Sequence, residues 1–352
     1  MKALRFHGQR DLRVDDIEEP TAGPGEVKIK VDWCGLCGSD LHEYLAGPIF
    51  VPTKDNPHPI TGDHLPLVMG HEFAGMVADV GDGVTRVAAG DAVAVEPLVY
   101  DETCYACRKG WYNVCSSVGF HGLSGGGGGL AEYTVVPEKM VHQLPSGMET
   151  DIGALIEPIA VGWHAAKQGN FQPGDKAVIF GAGPIGLVTM LSLRAAGAEW
   201  VAVSEVSSAR KEAARKFGAD LVLDPTSDDV AAEVARFTGP GADVAYECTG
   251  NGKALTTAMQ SVRPHGTVCN VAIWEGATDF NPNDVILNET TMTSSLAYRD
   301  DYPTVMALID DGRLETDGLI TSRITLDEVV EHGFEELVNN KDQHIKILVD
   351  PS

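Results

Sequence analysis

The 352-residue sequence has few positive charges and no long apolar run. Lysine and arginine together number 26 against 51 aspartates and glutamates, giving a formal net charge of −25. Nucleic acids and anionic membranes repel such a chain, so we expect neither as a partner. No apolar stretch reaches the roughly 20 residues that cross a bilayer. Residues 1–7 lack the apolar core of a secretory signal, so the expected location is the cytoplasm.

The cysteines do not form the even, regularly spaced set that a disulfide framework needs. Seven are present, which is an odd number. Four of them lie in spacings typical of metal sites: Cys37, Cys104, Cys107 and Cys115. This usage favours a reducing compartment over a disulfide-bonded protein.

The length favours two domains, and residues 1–158 have the pattern of the first. Short runs of alternating or apolar residues, such as 27–31, 73–80 and 91–95, are separated by Gly-rich turns and predict a mainly-β domain. Five consecutive glycines at 125–129 have two interpretations. They form either a flexible connection or a backbone that must pass close to another element.

Residues 159–297 have a different pattern, in which strands alternate with helices. The predicted strands are 177–180, 201–204, 221–223, 244–248 and 267–272, with helices such as 209–217 and 230–237 between them. This alternation predicts an α/β domain with a doubly wound parallel sheet. Residues 298–352 end in a strand-like segment, and we expect them to return to the first domain.

A thiol, an imidazole and a carboxylate occur in two motifs of the first domain. Cys37 lies in Cys34-Gly-Leu-Cys37-Gly-Ser-Asp, and His71 and Glu72 follow Gly70. Zinc binds all three groups, and a catalytic zinc keeps one open position beside three protein ligands. An ion held in this way can bind an alcohol oxygen and lower its pKa. The rival interpretation is a redox dithiol of Cys34 and Cys37, but no βαβ unit precedes this pair.

A glycine fingerprint opens the second domain. Gly181, Gly183 and Gly186 follow the predicted strand 176–180 and precede a predicted helix from Leu187, the context that a dinucleotide site requires. The helix N-terminus offers free N–H groups to the phosphates. Glu205 ends the next strand about 20 residues later, where an acid accepts hydrogen bonds from the adenosine ribose and repels a 2′-phosphate. NAD is therefore expected rather than NADP, unless Glu205 is only a solvated acid at a strand end.

The motifs together resemble those of the zinc-dependent medium-chain dehydrogenase/reductase family, over essentially the whole chain. They are Gly-Leu-Cys37-Gly-Ser-Asp, Gly70-His71-Glu72, the Glu157-Pro pattern within 155–164 and Gly181–Gly186. The resemblance implies an α/β protein with a GroES-like, mainly-β catalytic domain (1–158 and 298–352). This domain is split around a Rossmann NAD-binding domain (159–297).

The resemblance also implies roles for individual residues. Cys37 and His71 would bind the catalytic zinc, with Glu72 or Glu157 as the third protein ligand, or the two exchanging as substrate enters. Alternatively, Glu157 would act through the metal-bound water. Ser39 and His42 match the proton relay of the family. The residues expected to contact the cofactor are Gly181, Gly183, Pro184, Ile185, Gly186, Glu205 and Arg210. Taken singly, Cys37 could be a buried thiol, His71 a core histidine and His42 a surface histidine.

A second metal site departs from the family pattern. The family's structural zinc uses four cysteines spaced C-x₂-C-x₂-C-x₇-C, and Cys104, Cys107 and Cys115 match the last three positions. Asp101 occupies the first. A carboxylate can bind zinc, so an occupied Cys₃Asp site is expected, although carboxylate is a harder ligand than thiolate. Otherwise the three cysteines are reduced loop residues.

Two loops indicate the substrate. Residues 41–50 and 122–125, the latter leading into Ala131-Glu-Tyr133, are similar to loops of the family branch that interconverts (R,R)-2,3-butanediol and acetoin. The expected substrate is thus a small diol or hydroxyketone. The alternative within the family is a sorbitol or polyol dehydrogenase. Family analogy implies a homodimer or homotetramer.

Other classes of protein explain fewer of these features. A zinc-free quinone reductase would not need Cys37, His71 and the cysteine cluster together. A non-catalytic NAD-binding protein would lack the relay, and a metal-storage or redox protein would not explain Glu205.

Overall fold

The computed structural model describes residues 1–352, and the chain divides into two compact units. The first comprises Met1–Glu157, Tyr302–Asp310 and Thr316–Ser352, and the second comprises Pro158–Asp301 and Asp311–Glu315. The domain boundaries predicted from the sequence, after residues 158 and 297, lie near these junctions. Residues 298–301 and 311–315, which the prediction assigned to the first domain, group with the second unit.

The first unit is mainly β. Its strands are β1 (Lys2–Gly8), β2 (Asp11–Asp16), β3 (Glu26–Gly35), β4 (Leu67–Val68), β5 (Glu72–Val80), β6 (Ala92–Val95), β7 (Leu98–Val99), β8 (Gly119–Phe120), β9 (Tyr133–Pro137) and β10 (Val141–Gln143). Its helices in this part are α1 (Gly38–Ala46), α2 (Tyr105–Arg108) and α3 (Thr150–Gly153), with 3₁₀ turns at Tyr112–Val114 and Glu138–Met140. Helix α4 (Ile156–Gln168) begins at the junction with the second unit.

The second unit alternates strands and helices, as predicted. Its strands are β11 (Lys176–Phe180), β12 (Trp200–Ser204), β13 (Leu221–Leu223), β14 (Ala242–Glu247), β15 (Val262–Asn270) and β16 (Thr291–Ser294). Its remaining helices are α5 (Pro184–Ala195), α6 (Ser208–Lys216), α7 (Val230–Thr238), α8 (Gly252–Ser261) and α9 (Asn283–Ile286). The strands form one parallel sheet in the order β13-β12-β11-β14-β15-β16.

The C-terminal part returns to the first unit, as the sequence predicts. It contains α10 (Tyr302–Asp310), β17 (Ile320–Thr325), a 3₁₀ turn (Leu326–Glu328), a π-helical turn (Val329–Phe334), α11 (Glu335–Asn340), a 3₁₀ turn (Lys341–Gln343) and β18 (Lys346–Asp350). Strand β18 pairs antiparallel with β3, so the C-terminal strand lies inside a seven-stranded sheet of the first unit. Six of its strands follow the order β10-β6-β5-β3-β18-β17, and the seventh, β9, pairs with β3.

Apolar alternation explains how the strands of the first unit bury one face. Val27, Ile29 and Val31 of β3 are fully buried, and they pack with Phe73 and Val77 of β5 in one core. Each such side chain contributes about 1.5–3 kcal/mol by leaving water. The second unit has its own core around Val178, Phe180 and Ala245 of the parallel sheet. Helices throughout the chain are too short or too polar to span a bilayer.

Candidate active site

Cys37 lies at the junction between a core strand and a helix. It follows the end of β3 and occupies the N-cap position of α1, where its backbone N–H donates to Asp40 Oδ2 at 3.0 Å. The positive end of a helix dipole favours a thiolate at this position. The local sequence therefore holds a partly exposed sulfur in the environment that a metal-binding cysteine needs.

His71 and Glu72 are held at the start of β5. Gly70 precedes them with φ +96°, a left-handed conformation that lets the chain turn into the strand. Both side chains are buried, with 3% and 1% of their surfaces exposed. The motif Gly-His-Glu thus places an imidazole and a carboxylate inside the first unit.

The structure brings Cys37, His71 and Glu72 together. One ligand atom of each lies within 4.8 Å of the other two. Glu72 Oε1 is buried and has no hydrogen-bond partner. An orphaned carboxylate oxygen is costly unless another group satisfies it. Sulfur, nitrogen and oxygen donors are the set that zinc takes at catalytic sites, so these residues fit the metal.

Asp40 belongs to this cluster, and sequence reasoning missed it. Its carboxylate is fully buried, and Oδ1 lies 3.4 Å from His71 Nδ1. The other ring nitrogen, Nε2, lies 3.1 Å from Ser39 Oγ. Burial lowers the pKa of His71, but the Asp40 carboxylate and the Cys37 sulfur outweigh it and hold this pKa well above its ordinary value. A carboxylate on the Nδ1 side orients the ring and leaves Nε2 for a metal.

Lys346 is a second residue that sequence reasoning missed. It lies in β18 with 5% exposure, and its Nζ donates to Glu72 Oε2 and, at 3.1 Å, to Leu36 O. Burial lowers the pKa of Lys346, but the charges of Glu72, Cys37 and Glu157 raise it overall. The ammonium therefore stays charged and holds Glu72 Oε2, while Glu72 Oε1 has no hydrogen-bond partner. No local signal marks a lone lysine in a terminal strand.

Two further residues predicted for the catalytic site, Glu157 and His42, lie in helices α4 and α1. Glu157 lies in the first turn of α4 and is buried, outside the set of three clustered ligand atoms. His42 lies in α1, one turn beyond Ser39, and is partly buried. The ring of Phe120 packs edge-on against His71 with centroids 6.0 Å apart, and forms an apolar wall beside it.

The predicted second metal cluster is also assembled. Ligand atoms of Asp101, Cys104, Cys107 and Cys115 lie within 4.8 Å of one another around the short helix α2. The Asp101 carboxylate accepts the backbone N–H groups of Cys104 and Thr103, each at 2.8 Å, which lowers its pKa well below the usual range. The backbone N–H of Cys107 similarly lowers the pKa of Cys104 to about 7. Three sulfur donors and one carboxylate oxygen at this spacing fit a zinc ion.

The glycine fingerprint forms a tight turn between β11 and α5. A methyl group added to Gly186 would lie 1.9 Å from Gly181 O, so helix and strand approach too closely for any other residue. The helix begins at Pro184 rather than at Leu187 as predicted, because proline is favoured in the first helical turn. Pro184, Ile185 and Gly186 are therefore the first residues of the helix.

Glu205 contacts this turn directly. Its Oε2 accepts the N–H of Ala182 at 2.7 Å, and its Oε1 accepts those of Val206 and Ser207 at 2.7 and 2.8 Å. The carboxylate thus joins the fingerprint to the end of β12 while keeping lone pairs for further donors. Arg210 lies in α6, and its guanidinium is close to Gly183, at 3.7 Å from the position of an added methyl group.

Comparison with known proteins relates this arrangement to characterised relatives. Residues 23–146 match the family described as "Alcohol dehydrogenase GroES-like domain", and residues 184–311 match "Zinc-binding dehydrogenase". The chain is 46% identical to an (R,R)-butanediol dehydrogenase of Bacillus subtilis, with 100% of both chains covered, and 42% identical to one of Neisseria gonorrhoeae, with the same coverage.

A solved structure and a more distant relative add to this comparison. The crystal structure of 2R,3R-butanediol dehydrogenase from Bacillus subtilis superposes with a TM-score of 0.95 at 45% identity, covering 100% of this chain and 99% of that one. A sorbitol dehydrogenase of Bacillus subtilis is 33% identical, covering 100% of this chain and 98% of the relative. The similarity to butanediol dehydrogenases is thus greater than that to this sorbitol dehydrogenase.

Proposed function

The chain belongs to the zinc-dependent alcohol dehydrogenase family, and we propose that it interconverts (R,R)-2,3-butanediol and acetoin with NAD as the hydride carrier. It is an oxidoreductase with a GroES-like domain and a Rossmann domain, and it uses zinc and NAD. The observation that carries the substrate assignment is the 46% identity to a butanediol dehydrogenase over the full length of both chains.

Cys37, His71 and Glu72 are the proposed protein ligands of the catalytic zinc. Bound there, zinc supplies a Lewis acid that polarises the alcohol oxygen and lowers its pKa. The clustering of the three ligand atoms supports Glu72 as the third ligand in the resting protein. Glu157 lies outside this set, yet its charge reaches Lys346, the partner of Glu72. It is the proposed exchanging carboxylate, and it can also accept the second hydroxyl of a diol.

Ser39 and His42 are proposed to carry the alcohol proton away. Ser39 Oγ already contacts the ring nitrogen of His71 that faces the ligand cluster, and His42 lies one helical turn further along α1. A hydroxyl can accept and donate a proton at once, and a histidine near neutral pH can pass it to solvent.

The second unit is proposed to bind NAD through its first βα turn. The backbone N–H groups at the start of α5 would bind the pyrophosphate, and Glu205 would accept hydrogen bonds from the ribose hydroxyls. Arg210, beside Gly183, supplies positive charge next to the same turn. Glu205 is held by three backbone N–H groups, so its charge is in place before the cofactor arrives.

A substrate panel tests the proposed reaction. Protein of measured zinc content is assayed with (R,R)-, meso- and (S,S)-2,3-butanediol, acetoin and sorbitol, each with NAD and NADP. We expect the highest kcat/KM for (R,R)-butanediol with NAD, and loss of turnover after chelation that zinc restores. A clear preference for sorbitol would refute the substrate, and undiminished turnover by folded, metal-free protein would refute the zinc mechanism.

The protein is further proposed to form a homodimer, or a homotetramer built from dimers. Strand β16 is the edge of the parallel sheet, and Met292 in it is exposed. Ile286 and Leu287, just before it, are 68% and 80% exposed. Pairing of this edge with a second copy would satisfy its backbone groups and cover the apolar side chains.

Seven free cysteines support a reducing compartment such as the cytoplasm.

A further inference from the structure

The glycine-rich segment 122–129 lies against the backbone of Gly70, the residue before the proposed zinc ligand His71. Gly129 N donates to Gly70 O at 2.8 Å, and Leu130 N donates to Met69 O at 2.9 Å. This short ladder is continued by the bond from Leu4 N to Leu130 O at 2.8 Å. The segment is therefore attached to the core on both sides of the turn that precedes β5.

Two glycines of this segment approach Gly70 and Met69 more closely than any side chain allows. A methyl group on Gly122 would lie 1.9 Å from Gly70 O and 2.4 Å from its carbonyl carbon. One on Gly128 would lie 2.3 Å from Met69 O. Real carbon atoms never come so near, so a larger residue at either position must push the backbone at 69–70 aside.

The other side of Gly70 is closed as well. A methyl group on Gly70 itself would lie 2.7 Å from Cys34 Sγ and 2.7 Å from Leu130 Cγ. All of these residues are buried. Gly70 thus has no room for a side chain, and its backbone is closely packed on both sides one residue before the imidazole.

We propose that Gly122 and Gly128 are positioning residues that set the place of His71 before any metal binds. This inference rests on the proposed role of His71 as a zinc ligand. A metal site needs its ligands within a few tenths of an ångström of their bound positions, and residues supporting a ligand typically change metal affinity about 10–100-fold when altered. Of the five glycines at 125–129, Gly128 and Gly129 pass close to residues 69–70, which agrees with the second of the two interpretations that the sequence leaves open.

Two variants test this role. Gly128→Ala introduces a clash with Met69 O without a left-handed backbone penalty, and Gly122→Ala adds such a penalty because its φ is +91°. We expect zinc release to a competing chelator to become about 10–100-fold easier in both. The ion to be followed is the proposed catalytic zinc, which is identified as the zinc that a Cys37→Ser variant does not bind. The same variants should lose kcat with little change in the KM for NAD, because the cofactor turn is unaltered.

Two matched controls separate positioning from general destabilisation. Gly90→Ala carries a left-handed penalty at φ +94° with no neighbour within 4 Å. Gly169→Ala introduces a clash with Tyr246 Oη at 2.5 Å in the other unit. Both should lower the unfolding temperature but retain zinc as the unaltered protein does. Folded Gly122→Ala and Gly128→Ala proteins that also retain zinc normally would overturn the proposal.

A measurement on the unaltered protein covers the case in which neither variant folds. If the segment positions His71 without metal, the Gly129 amide should remain protected from hydrogen exchange after chelation. Loss of that protection on zinc removal would show that the metal organises the segment, and would overturn the proposal. Zinc release and amide exchange do not depend on the substrate, so failure of the butanediol assignment would leave both tests readable.

Discussion

At the scale of single residues, the carboxylate of Glu205 has both a structural and a functional part. It accepts three backbone N–H groups and is the proposed partner of the ribose hydroxyls. Its charge would repel a 2′-phosphate, whereas its oxygens accept the hydrogen bonds that join the turn to the end of β12. One substitution that keeps the oxygen and removes the charge can separate these parts.

Glu205→Gln should therefore relax the preference for NAD while keeping part of the turn's hydrogen bonding. Because the charge that would repel the 2′-phosphate is removed, we expect the NADP-to-NAD ratio of kcat/KM to rise about tenfold or more. A tenfold change corresponds to about 1.4 kcal/mol. Glu205→Ala should show the same shift and also lose about 1–3 kcal/mol of stability, because buried N–H groups lose their acceptor. Steady-state kinetics with both cofactors and urea unfolding measure this. An unaltered cofactor ratio would remove the assigned role of Glu205.

His121 makes the stability of the protein depend on pH. It is buried beside the glycine-rich segment and lies 2.7 Å from Thr134 Oγ1, and burial lowers its pKa to about 4. Because the folded pKa lies below the ordinary value near 6.5, the unfolded chain takes up a proton first as pH falls. Stability from this group is therefore complete above about pH 6.5 and lost progressively down to about pH 4.

His121→Gln should abolish that part of the pH dependence. The glutamine amide can still bond to Thr134 but cannot titrate. Between pH 6.5 and 4, His121 should cost the unaltered protein about 3 kcal/mol of unfolding free energy, and the variant should not show this loss. Urea unfolding at a series of pH values between 7 and 4 measures the difference. Parallel curves for the two proteins would contradict the assignment, since carboxylates titrate equally in both.

At the scale of elements, the short helix α2 and its flanking loops form a lobe around the Cys₃Asp cluster. Tyr112 of this lobe donates to Glu96 Oε1 at 2.7 Å, and Glu96 Oε2 also contacts His142 Nε2 at 2.9 Å. The lobe is therefore attached to β6 and β10 by side chains as well as by its proposed metal. Its folding need not depend on zinc alone.

We expect two zinc ions per subunit in the intact protein and about one after Asp101→Ala. Loss of the carboxylate leaves three ligands where a structural zinc needs four. Asp101→Cys should retain two, more tightly, because thiolate is the softer ligand. Glu102→Ala, which removes the neighbouring carboxylate outside the cluster, is the control and should also retain two. A value of one zinc in the unaltered protein would argue against an occupied lobe.

At the scale of the whole molecule, the free edge of the parallel sheet predicts self-association. Met292→Lys places a charge in β16 and should shift the protein to a lower molecular mass in light scattering, because like charges would face each other across a twofold axis. Phe237→Lys alters an equally exposed apolar residue in α7 and should leave the mass unchanged. An unaltered protein that is already monomeric would refute the proposed assembly.

The acidic surface is also a property of the whole chain. The net charge of −25 gives a long-range repulsion towards other acidic molecules, and added salt weakens this repulsion. It bears on solubility and on which partners are repelled. Neither the metal cluster nor the dinucleotide turn depends on it.

Local sequence was sufficient to predict that Cys37, His71 and Glu72 belong to one cluster and that a glycine turn joins β11 to α5, and their roles as zinc ligands and cofactor site stay predictions. Cys37, His71 and the fingerprint glycines lie in short motifs whose chemistry is readable without a fold, and the alternation of strands and helices after residue 159 predicted the parallel sheet. The predicted start of α5 at Leu187 was wrong by about one turn, because Pro184 was assigned to the fingerprint rather than to the first helical position. Asp40 could have been predicted from the sequence, since it lies three residues after the N-cap residue Cys37, where a carboxylate caps the helix.

By itself, the sequence determined which donor atoms and which cofactor turn this protein has, because those depend on residue type and short spacing. Only the tertiary structure decided that Lys346 holds Glu72, a residue 274 positions away, and that Gly122, Gly128 and Gly129 lie against the backbone of residues 69–70. Both depend on how distant segments pack, and steric exclusion between them leaves no periodic trace along the chain.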